Sequence, residues 1–587
     1  MRLVVLAVVL PVAFARAQDP AAHRPNVIVV MTDDQGFGDF GCAGNPVIHT
    51  PHLDELAAHS ARLSNFYVSP VCTPTRAALM TGRWCQRTRA FDTYIGRAMM
   101  DPGEVTIAEM LHDAGYATGI FGKWHLGDCY PLRAVDQGFE EALVIRGGGI
   151  GQPSDPPGGE GRYTDPILFH NGVAEPSVGW CTDLFFDGAM NFIAKCNEQR
   201  RPFFCYLPTN APHGPWRDVP EAPYRRYLAE GVAPARFPET AGAPAPAKLD
   251  EDILARTYAM IENVDDNIGR LIERLEKLGC LDDTLILFLC DNGPEGRRWL
   301  AGYRGAKSQV YEGGIRSPLW AYWPGHLRPG VASDRIAAHV DLMPTILDAC
   351  GVTVPQGLRL DGRSLWPLLT EKDADWSDRE LVIQANRGDA PLRYHNFALR
   401  TQRWKLVNAT GFDRELDAPP PFAPELYDME ADPYELHDVA KDHPDLVADL
   451  RKRYDAWFDD IAATRPDPFS PPRIFVGSDA EQVTVLTRQD WRRTPETQGW
   501  GAQGSWSIDV RTAGRYGITV RTPARRHARI GTFHCGTTAQ DFTFDVGAPE
   551  ARFEVELHEG PASLRVDLRD DDGSFGAHQV ELHRTSR

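Results

Sequence analysis

The sequence predicts a mixed α/β fold in which a mostly parallel sheet is flanked by helices, followed by an all-β part. Two uninterrupted apolar runs, at 26–32 and 284–290, are typical of strands buried on both faces of a sheet covered by helices. Between them, apolar residues at helical spacing over 254–278 predict an amphipathic helix that ends at Gly279. Beyond residue 500, short segments alternate apolar and polar residues, which indicates the strands of a β-sandwich.

The length and charge of the chain limit its organisation and its partners. With 587 residues it exceeds the usual size of one hydrophobic core, so two or more domains are expected. The formal net charge of −19 disfavours nucleic acid and anionic membrane surfaces as general partners, because binding either requires a basic face. After the amino-terminal segment, no apolar run approaches the ~20 residues that a membrane span needs.

Residues 1–17 have the pattern of a secretory signal. Arg2 precedes an apolar run, and Ala15 and Ala17 supply the small residues of a cleavage site before Gln18. We therefore expect a periplasmic or secreted protein. The chain has 11 cysteines, and in an exported protein we expect one or two disulfide bridges among them.

Both apolar runs stop abruptly at side chains that carry oxygen atoms. Asp33 and Asp34 follow the first run, and Asp291 and Asn292 follow the second. Ligands of open α/β sheets bind beyond the carboxyl ends of the strands, so these four side chains can converge if the strands are neighbours. An all-oxygen set favours Ca²⁺ or Mg²⁺ over zinc. Taken alone, either acidic pair is more often a turn former or a helix cap.

A short helix is predicted to begin near Cys72 and to end at Gly82. Pro74 is tolerated in a first helical turn, where its missing N–H would be unpaired in any case. The unpaired amides and the macrodipole make this helix start a natural anion site, and Arg76 faces the same side one turn later. A negatively charged centre at position 72 would be stabilised there.

Four further polar residues follow predicted strands or lie in glycine-rich turns near the same edge of the sheet. Lys123 and His125 share one face of an extended segment, because alternate residues of a strand point to the same side. His213 lies between two prolines just past the apolar run 202–208, and Lys307 lies in a glycine-rich stretch. On residue type alone, each of them is ordinary surface decoration.

Taken together, these motifs resemble those of the formylglycine-dependent, type I sulfatases, including the arylsulfatases, in the alkaline phosphatase-like superfamily. The resemblance covers roughly residues 25 to 460. The stretches that carry it are Asp33-Asp34-Gln35-Gly36, Cys72-Thr-Pro-Thr-Arg76, Gly122-Lys-Trp-His-Leu-Gly127, Ala211-Pro-His213, Asp291-Asn292-Gly293 and Gly305-Ala-Lys307 with Glu312-Gly-Gly-Ile-Arg316.

The resemblance implies an enzyme that hydrolyses sulfate monoesters. A formylglycine-generating enzyme would oxidise Cys72 to an aldehyde, and the hydrate of this formylglycine (3-oxoalanine) would be the nucleophile. One calcium ion, the usual metal of the family, would be held by residue 72 together with four further ligands, which are Asp33, Asp34, Asp291 and Asn292.

The resemblance also implies a role for each remaining residue of the motifs. Arg76 would orient residue 72. Lys123 and Lys307 would neutralise the sulfate oxygens, and His213, together with Lys307, would assist departure of the alcohol. His125 would take the proton whose removal expels sulfate from the enzyme.

Export, a long Gly- and Pro-rich loop at 146–161 and the sandwich favour a sulfated carbohydrate as the substrate. Two alternatives remain open from the sequence. Related enzymes of the same superfamily hydrolyse phosphonate monoesters or phosphodiesters, and some share the modified nucleophile. A noncatalytic glycan-binding protein is the second alternative, although every expected site residue is present.

Composition divides the chain into five parts. We expect a signal peptide at 1–17, a catalytic α/β domain at 18–380 and a carboxy-terminal α+β subdomain at 381–464. A Pro-rich stretch at 465–473 has the composition of a linker. The β-sandwich accessory domain occupies 474–587.

Overall fold

The computed structural model describes most of the chain after residue 23. The predicted secretory signal lies outside the described residues. Among the helices that are described, none combines the length and the apolar character that crossing a membrane requires. The described residues are 24–159, 161–330, 332–371, 376–412, 415–416, 418–467, 469–493, 500 and 503–585.

The main sheet has eleven strands in the described part of the chain, and most of its pairings are parallel. They are β1 (Asn26–Thr32), β2 (Ala61–Tyr67), β3 (Ala117–Lys123), β4 (Glu141–Ile145), β5 (Ile167–His170), β6 (Val173–Pro176), β7 (Phe203–Pro208), β8 (Thr284–Cys290), β9 (Arg316–Tyr322), β10 (Ala332–Ser333) and β11 (Ala337–Ala338). Across the sheet their order is β10-β2-β9-β8-β1-β7-β3-β4-β5-β6, and β11 also pairs with β2.

Helices cover both faces of this sheet, as predicted. Val27, Val29 and Met31 of β1 belong to one hydrophobic cluster, whereas Ile28 and Val30 belong to another on the opposite face. This is why the run is apolar throughout. The α-helices of the described residues are α1 (Pro51–His59), α2 (Cys72–Thr81), α3 (Ile107–Asp113), α4 (Cys181–Gln199), α5 (Glu221–Glu230), α6 (Glu251–Leu278), α7 (Glu312–Ile315), α8 (Leu342–Ala349), α9 (Trp366–Thr370) and α10 (Pro444–Ala462).

The two apolar runs of the sequence are neighbouring strands that end in the same register. β1 pairs in parallel with β8, and the last residues of the two strands, Thr32 and Cys290, lie opposite each other. The N–H of Asp291 donates to the carbonyl oxygen of Thr32 at 2.9 Å, so the ladder continues one step beyond the strands. The acidic residues that follow β1 and β8 therefore begin at one point of the sheet edge.

A smaller antiparallel sheet follows the main one. Val382 and Leu399 of this sheet pack on Leu450 and Tyr454 of α10. The predicted α+β character of this region is confirmed. Its strands, in their order across the sheet, are β12 (Leu381–Gln384), β13 (Phe397–Arg400), β14 (Trp404–Asn408) and β15 (Glu425–Asp428).

The rest of the described chain forms two mostly antiparallel sheets around one hydrophobic core, which includes Trp506 and Val520. We call this part the sandwich. Its strands are β16 (Ile474–Val476), β17 (Val483–Thr487), β18 (Arg492–Arg493), β19 (Gly504–Val510), β20 (Gly514–Arg521), β21 (Arg529–Cys535), β22 (Thr538–Phe544), β23 (Glu550–Leu557), β24 (Gly560–Asp570), β25 (Gly573–Gly576) and β26 (Gln579–Arg584).

The sandwich packs directly against the part of the chain that carries the main sheet. Met99 and Leu132 of that part are buried in the core of the sandwich. The N–H of Phe475 donates to the Tyr130 carbonyl at 3.0 Å, and the Cys129 thiol donates to the carbonyl of Val485 at 3.2 Å. The stretch with linker composition is also held, because Asp467 pairs with Arg89 and Arg465 pairs with Glu104.

The expectation of one or two disulfide bridges is wrong. All eleven cysteines, each of which lies in the described residues, are free thiols. Ten of them are buried, and only Cys42 is exposed. Most of these thiols pack singly in strands, helices and turns of the core, where they act as small apolar side chains. The odd count already left at least one of them unpaired.

Candidate active site

The carboxyl ends of β1 and β8 bring the four predicted oxygen ligands into one cluster. The N–H of Asp34 donates to Asp291 Oδ1 at 3.2 Å, which ties the two strand ends together. Asn292 Nδ2 donates to Asp34 Oδ1 at 2.7 Å. All four residues, including Asp33, are at most 1% exposed. Such a buried acidic cluster is costly unless cations compensate it.

Two buried cations lie beneath this cluster. Arg76 Nη2 donates to Asp33 Oδ2 at 3.1 Å and to Asp291 Oδ2 at 2.8 Å. Its Nη1 donates to the carbonyl oxygen of Lys123 at 2.6 Å, and Lys123 Nζ is paired with Asp33 Oδ2. Arg76 and Lys123 are fully buried, so their charges directly compensate those of the carboxylates they contact.

Lys307 is the cation on the open side of the cluster. Its Nζ lies 2.7 Å from Asp34 Oδ2 and 3.4 Å from Glu295 Oε2. Burial alone would lower the pKa of Lys307, but Asp34 outweighs it and holds that pKa well above its ordinary value. Burial alone would likewise raise the pKa of Asp34, yet Lys307 and His213 keep it well below its usual range. This pair is therefore fully charged.

Several observations show that the cluster suits a hard cation. Asp33 Oδ1 and Asn292 Oδ1 are buried and have no hydrogen-bond partner in the described structure. A carboxylate oxygen of Asp33, a carboxylate oxygen of Asp291 and the Sγ atom of Cys72 lie within 4.8 Å of one another. Burial and the charge of Asp33 raise the pKa of Asp291 to about 7, although Arg76 opposes this shift. A divalent ion would satisfy the free oxygens and remove this repulsion.

Cys72 is the first residue of α2, as predicted from the sequence. Val71, which precedes it, provides no side-chain cap, and Gly82 ends the helix with a φ of 64°. Cys72 is 2% exposed, and burial raises the pKa of its thiol to about 11, although Lys123 opposes the shift. The unmodified thiol is therefore protonated near neutral pH and is a poor nucleophile.

His125 follows β3 in a strained conformation. Its φ is 57°, a left-handed value that is uncommon for residues other than glycine and that clusters at functional sites. Nε2 donates to the carbonyl oxygen of Thr93 at 2.9 Å, and Gln489 Nε2 donates to the same oxygen at 2.7 Å. Nδ1 is buried and has no partner in the described structure, so its lone pair is available.

His213 has the opposite arrangement of its ring. Nδ1 donates to the carbonyl oxygen of Gly214 at 2.7 Å, and Nε2 lies 3.7 Å from Asp34 Oδ2. Burial and Lys307 lower the pKa of His213, while Asp34 opposes them. In its neutral form Nε2 of His213 is an acceptor, and it becomes a donor only when the ring is protonated.

One cavity of about 500 Å³ joins these groups. A cavity of this size is within the range of ~300–1,000 Å³ that is typical of small-molecule sites. Cys72, His125, His213 and Lys307 line it. The other predicted site residues are buried, and Asp34 among them contacts Lys307 and lies 3.7 Å from His213 Nε2. The structure thus gathers every predicted site residue around one space.

A glycine-rich loop closes one side of the cavity against both histidines. A Cβ atom added to Gly148 would lie 2.6 Å from His125 Cε1, and one added to Gly149 would lie 3.1 Å from His213 Cε1. Gln152 of the same loop also lines the cavity. The sequence marked this stretch only as a loop near the site. Its run of three glycines was the signal of a close approach by another group.

Sequence reasoning missed the residues that reach the cavity from distant parts of the chain. Their local surroundings carry no catalytic motif, so only the tertiary structure brings them here. Five of them line the cavity, and they are Thr93, Tyr94, Arg387, Phe412 and Trp500. The sixth, Gln489, donates to the carbonyl oxygen of Thr93.

Comparison with known protein families identifies this arrangement. The model of the family described as Sulfatase matches residues 25–352, which is more than half of the chain. This chain belongs to the sulfatase family. A second model, described as the carboxy-terminal part of N-sulphoglucosamine sulphohydrolase, matches residues 304–458.

Curated relatives of this sulfatase are similar over most of their own length. Arylsulfatase A of Homo sapiens is 35% identical over 375 residues, covering 59% of this chain and 68% of that protein. N-acetylgalactosamine-6-O-sulfatase of Bacteroides thetaiotaomicron is 27% identical over 507 residues, covering 73% and 92%. The predictions of a type I sulfatase and of a sulfuric ester hydrolase are confirmed.

Solved structures agree with this assignment. The crystal structure of Ps i-CgsB in complex with k-i-k-neocarrahexaose has a TM-score of 0.62 and is 26% identical, covering 74% of this sulfatase and 92% of that chain. The predicted fold, a mostly parallel sheet with flanking helices and further β-sheets at the carboxyl end, is confirmed.

Proposed function

We propose that this sulfatase is an exported enzyme that hydrolyses sulfate monoesters of a carbohydrate, with a formylglycine made from Cys72 and one calcium ion. A single observation carries the proposal. Cys72, at the tip of α2, shares one cavity with His125, His213 and Lys307, directly above a buried acidic cluster whose oxygens are partly unpartnered.

The state of the thiol supports modification of Cys72. A thiol with a pKa of about 11 offers almost no thiolate near neutral pH, so the unmodified residue is a poor nucleophile. A formylglycine at this position would supply a hydroxyl nucleophile and would require a formylglycine-generating enzyme as a maturation partner. The amides at the start of α2 and the buried Arg76 would stabilise negative charge that develops at residue 72.

The acidic cluster supports a metal site formed by five residues. When bound, calcium would polarise the sulfate group and stabilise negative charge as a Lewis acid. The all-oxygen set favours a hard cation, and the choice of calcium over magnesium follows the usual ion of the family. The proposed ligands are Asp33, Asp34, Asp291, Asn292 and the modified residue 72.

The remaining side chains would neutralise charge or transfer protons. Lys307 carries its proton firmly and lines the cavity, so it would hold a sulfate oxygen and assist the leaving alcohol. Lys123 would act from below through Asp33. His125 has a free Nδ1 lone pair and would accept a proton from residue 72. His213 would support the leaving group once its ring is protonated.

The proposed substrate class rests on the relatives and on the shape of the site. One curated relative is named for N-acetylgalactosamine 6-O-sulfate esters, and one solved neighbour holds a neocarrahexaose. The cavity has room for more than a sulfate group. Export rests on the pattern of residues 1–17, and we propose a periplasmic or secreted location.

The test combines mass spectrometry with activity. In active enzyme, the peptide that contains residue 72 should carry the aldehyde. Its composition should differ from that of the thiol form by the loss of the elements of H₂S and the gain of one oxygen atom. Defined sulfated saccharides should release sulfate, and a matched aryl phosphonate should react more slowly than the aryl sulfate. Cys72→Ala should lose at least about 10⁴-fold in kcat. An active enzyme with an untouched thiol, or one that prefers the phosphonate, would overturn the proposal.

Metal analysis tests the second half of the proposal. Protein purified with calcium should hold one ion per chain, and Asp291→Asn should hold less. Glu295→Gln is the matched control, because Glu295 lines the cavity but is not one of the proposed ligands. Equal calcium contents in all three proteins would contradict the assignment of the ligands.

A further inference from the structure

The sandwich reaches into the cavity of the proposed active site. Gln489, which follows β17, contacts the segment that contains Thr93, and Trp500, which precedes β19, lines the same cavity as Cys72 and His125. Gln489 of this stretch accepts a hydrogen bond at its carbonyl oxygen from Gly96 N at 3.2 Å. Its side chain donates to the carbonyl of Thr93. The sandwich is therefore bonded to the rim of the site.

Trp500 and Tyr94 form an aromatic corner in the cavity wall. Their ring centroids are 5.7 Å apart, and their planes meet at 77°, which is an edge-to-face arrangement. Both side chains are partly exposed, and both line the cavity. The indole N–H of Trp500 has no hydrogen-bond partner in the described residues. A buried indole N–H normally has one, so nothing in the described residues fixes this ring through its N–H.

Arg387 holds the corner in place from the side of the α+β region. Its guanidinium lies 4.3 Å from the ring centroid of Tyr94 and 4.3 Å from that of Phe412. Nη1 donates to Asp92 Oδ1 at 2.9 Å and to Thr93 Oγ1 at 3.1 Å. Because its donors and its flat faces are both engaged, Arg387 stiffens the wall and presents Tyr94 in one orientation.

We propose that the sandwich completes the substrate pocket, and that Trp500 and Tyr94 form a binding subsite for a sugar ring of the substrate. The proposal rests on the carbohydrate substrate proposed above. Aromatic side chains combine a large apolar surface with polar edges, which suits the C–H face and the hydroxyls of a pyranose. A substrate that consists only of a sulfate group and a small aryl ring has no pyranose to place at this corner.

The test compares a sulfated monosaccharide with an aryl sulfate that contains no sugar, both cleaved by the full-length enzyme. Trp500→Ala should lower kcat/KM for the saccharide about tenfold, mainly through KM, because it removes the apolar face of the subsite. For the aryl sulfate, kcat/KM should stay within about twofold of wild type. Trp500→Phe should retain most of the saccharide activity, since it keeps a ring but loses the N–H.

Phe475→Ala is the matched control. It removes an aromatic ring of the same sandwich that packs on Tyr130, at the same boundary but away from the cavity. This variant should leave both substrates within about twofold of wild type. Inhibition of aryl sulfate hydrolysis by the desulfated sugar gives a second readout, and Trp500→Ala should weaken it by the same factor as KM.

The outcomes separate this inference from the proposed function. Equal losses on both substrates in Trp500→Ala, or no loss on the saccharide, overturn the sugar subsite while leaving the sulfatase intact. If Trp500→Ala fails to fold, Trp500→Leu, which removes the aromatic ring but keeps apolar bulk, takes its place. An unchanged KM for the saccharide and an unchanged inhibition constant for the desulfated sugar in that variant overturn the inference. A wild-type enzyme that cleaves the aryl sulfate but no saccharide overturns the carbohydrate class, and the subsite with it.

Discussion

Asp291 is a carboxyl group whose surroundings favour its neutral form unless a cation lies beside it. Burial and the charge of Asp33 raise its pKa from 3.8 to about 7, even though Arg76 donates to it. The folded protein without metal therefore binds one more proton at this group than the unfolded chain between those pH values. Stability from this group is greatest below pH 3.8 and falls as pH rises toward 7.

We predict that protein treated with a chelator loses stability as pH rises from about 4 to about 7, by a few kcal/mol at most. Calorimetry across this range measures the change. Asp291→Asn, also treated with chelator, should lose less, because an amide does not titrate. Calcium should flatten the profile of the wild type. A wild-type midpoint that falls with rising pH no more than that of Asp291→Asn would contradict the prediction.

A second residue-scale prediction concerns the proposed base. Burial, Lys123 and Arg76 lower the pKa of His125 well below 6.5. The ring therefore stays neutral, and its Nδ1 lone pair stays available, until the pH falls below that lowered value. We predict that the acid limb of the kcat profile lies below pH 6.5.

The pH dependence of kcat with an aryl sulfate measures this limb. His125→Ala should lower kcat by about 10²–10⁴-fold. Thermal unfolding recorded at each pH is the control that separates titration of the base from loss of folded enzyme. An acid limb at or above pH 6.5 in stable enzyme would remove His125 from the role of base.

At the scale of elements, the glycine-rich loop sets the position of the histidines. A methyl group at position 148 would lie 2.6 Å from His125 Cε1 and 2.7 Å from its Nε2, closer than real contacts allow. We predict that Gly148→Ala displaces the His125 ring and lowers kcat about 10–100-fold. For Gly159→Ala in the same loop, the nearest atom to the added Cβ would be the Pro156 carbonyl oxygen at 3.3 Å, so this variant is the matched control.

Steady-state kinetics and melting temperatures of the two variants decide this prediction. Gly148→Ala should keep a melting temperature close to that of wild type, because the loop lies at the surface of the cavity. Equal kcat values in Gly148→Ala and Gly159→Ala would show that the close approach does not constrain the His125 ring.

The same scale shows what the sequence could predict. β1 and β8 can each be predicted locally, from an apolar run that ends in side chains with oxygen atoms. Convergence of these side chains needed one further assumption, that the two strands are neighbours, and they are. The contact of Gly148 with His125 depends on a fold of the loop that has no periodicity to read. The free state of the cysteines was also not readable, because pairing depends on distances in space.

At the scale of the whole molecule, the sandwich differs most from what composition suggested. The Pro-rich stretch of nine residues has the composition of a linker, but composition does not report how the parts on either side of it pack together. Met99 and Leu132 are buried among residues of the sandwich. Arg133 Nη1 lies 3.5 Å from Glu481 Oε1 across the same boundary. Removing the sandwich would expose this apolar surface.

We predict that the sandwich and the part that carries the main sheet unfold as one cooperative unit, in a single calorimetric transition, because residues of both are buried in the core of the sandwich. Met99→Ala should cost about 2–5 kcal/mol at the boundary and should begin to separate the transition into two. Val566→Ala, deep within the sandwich, is the matched control and should lower the midpoint while leaving one transition. Two transitions in the wild type, or no separation in Met99→Ala beyond that in Val566→Ala, would mean that the boundary adds little to the stability of either part.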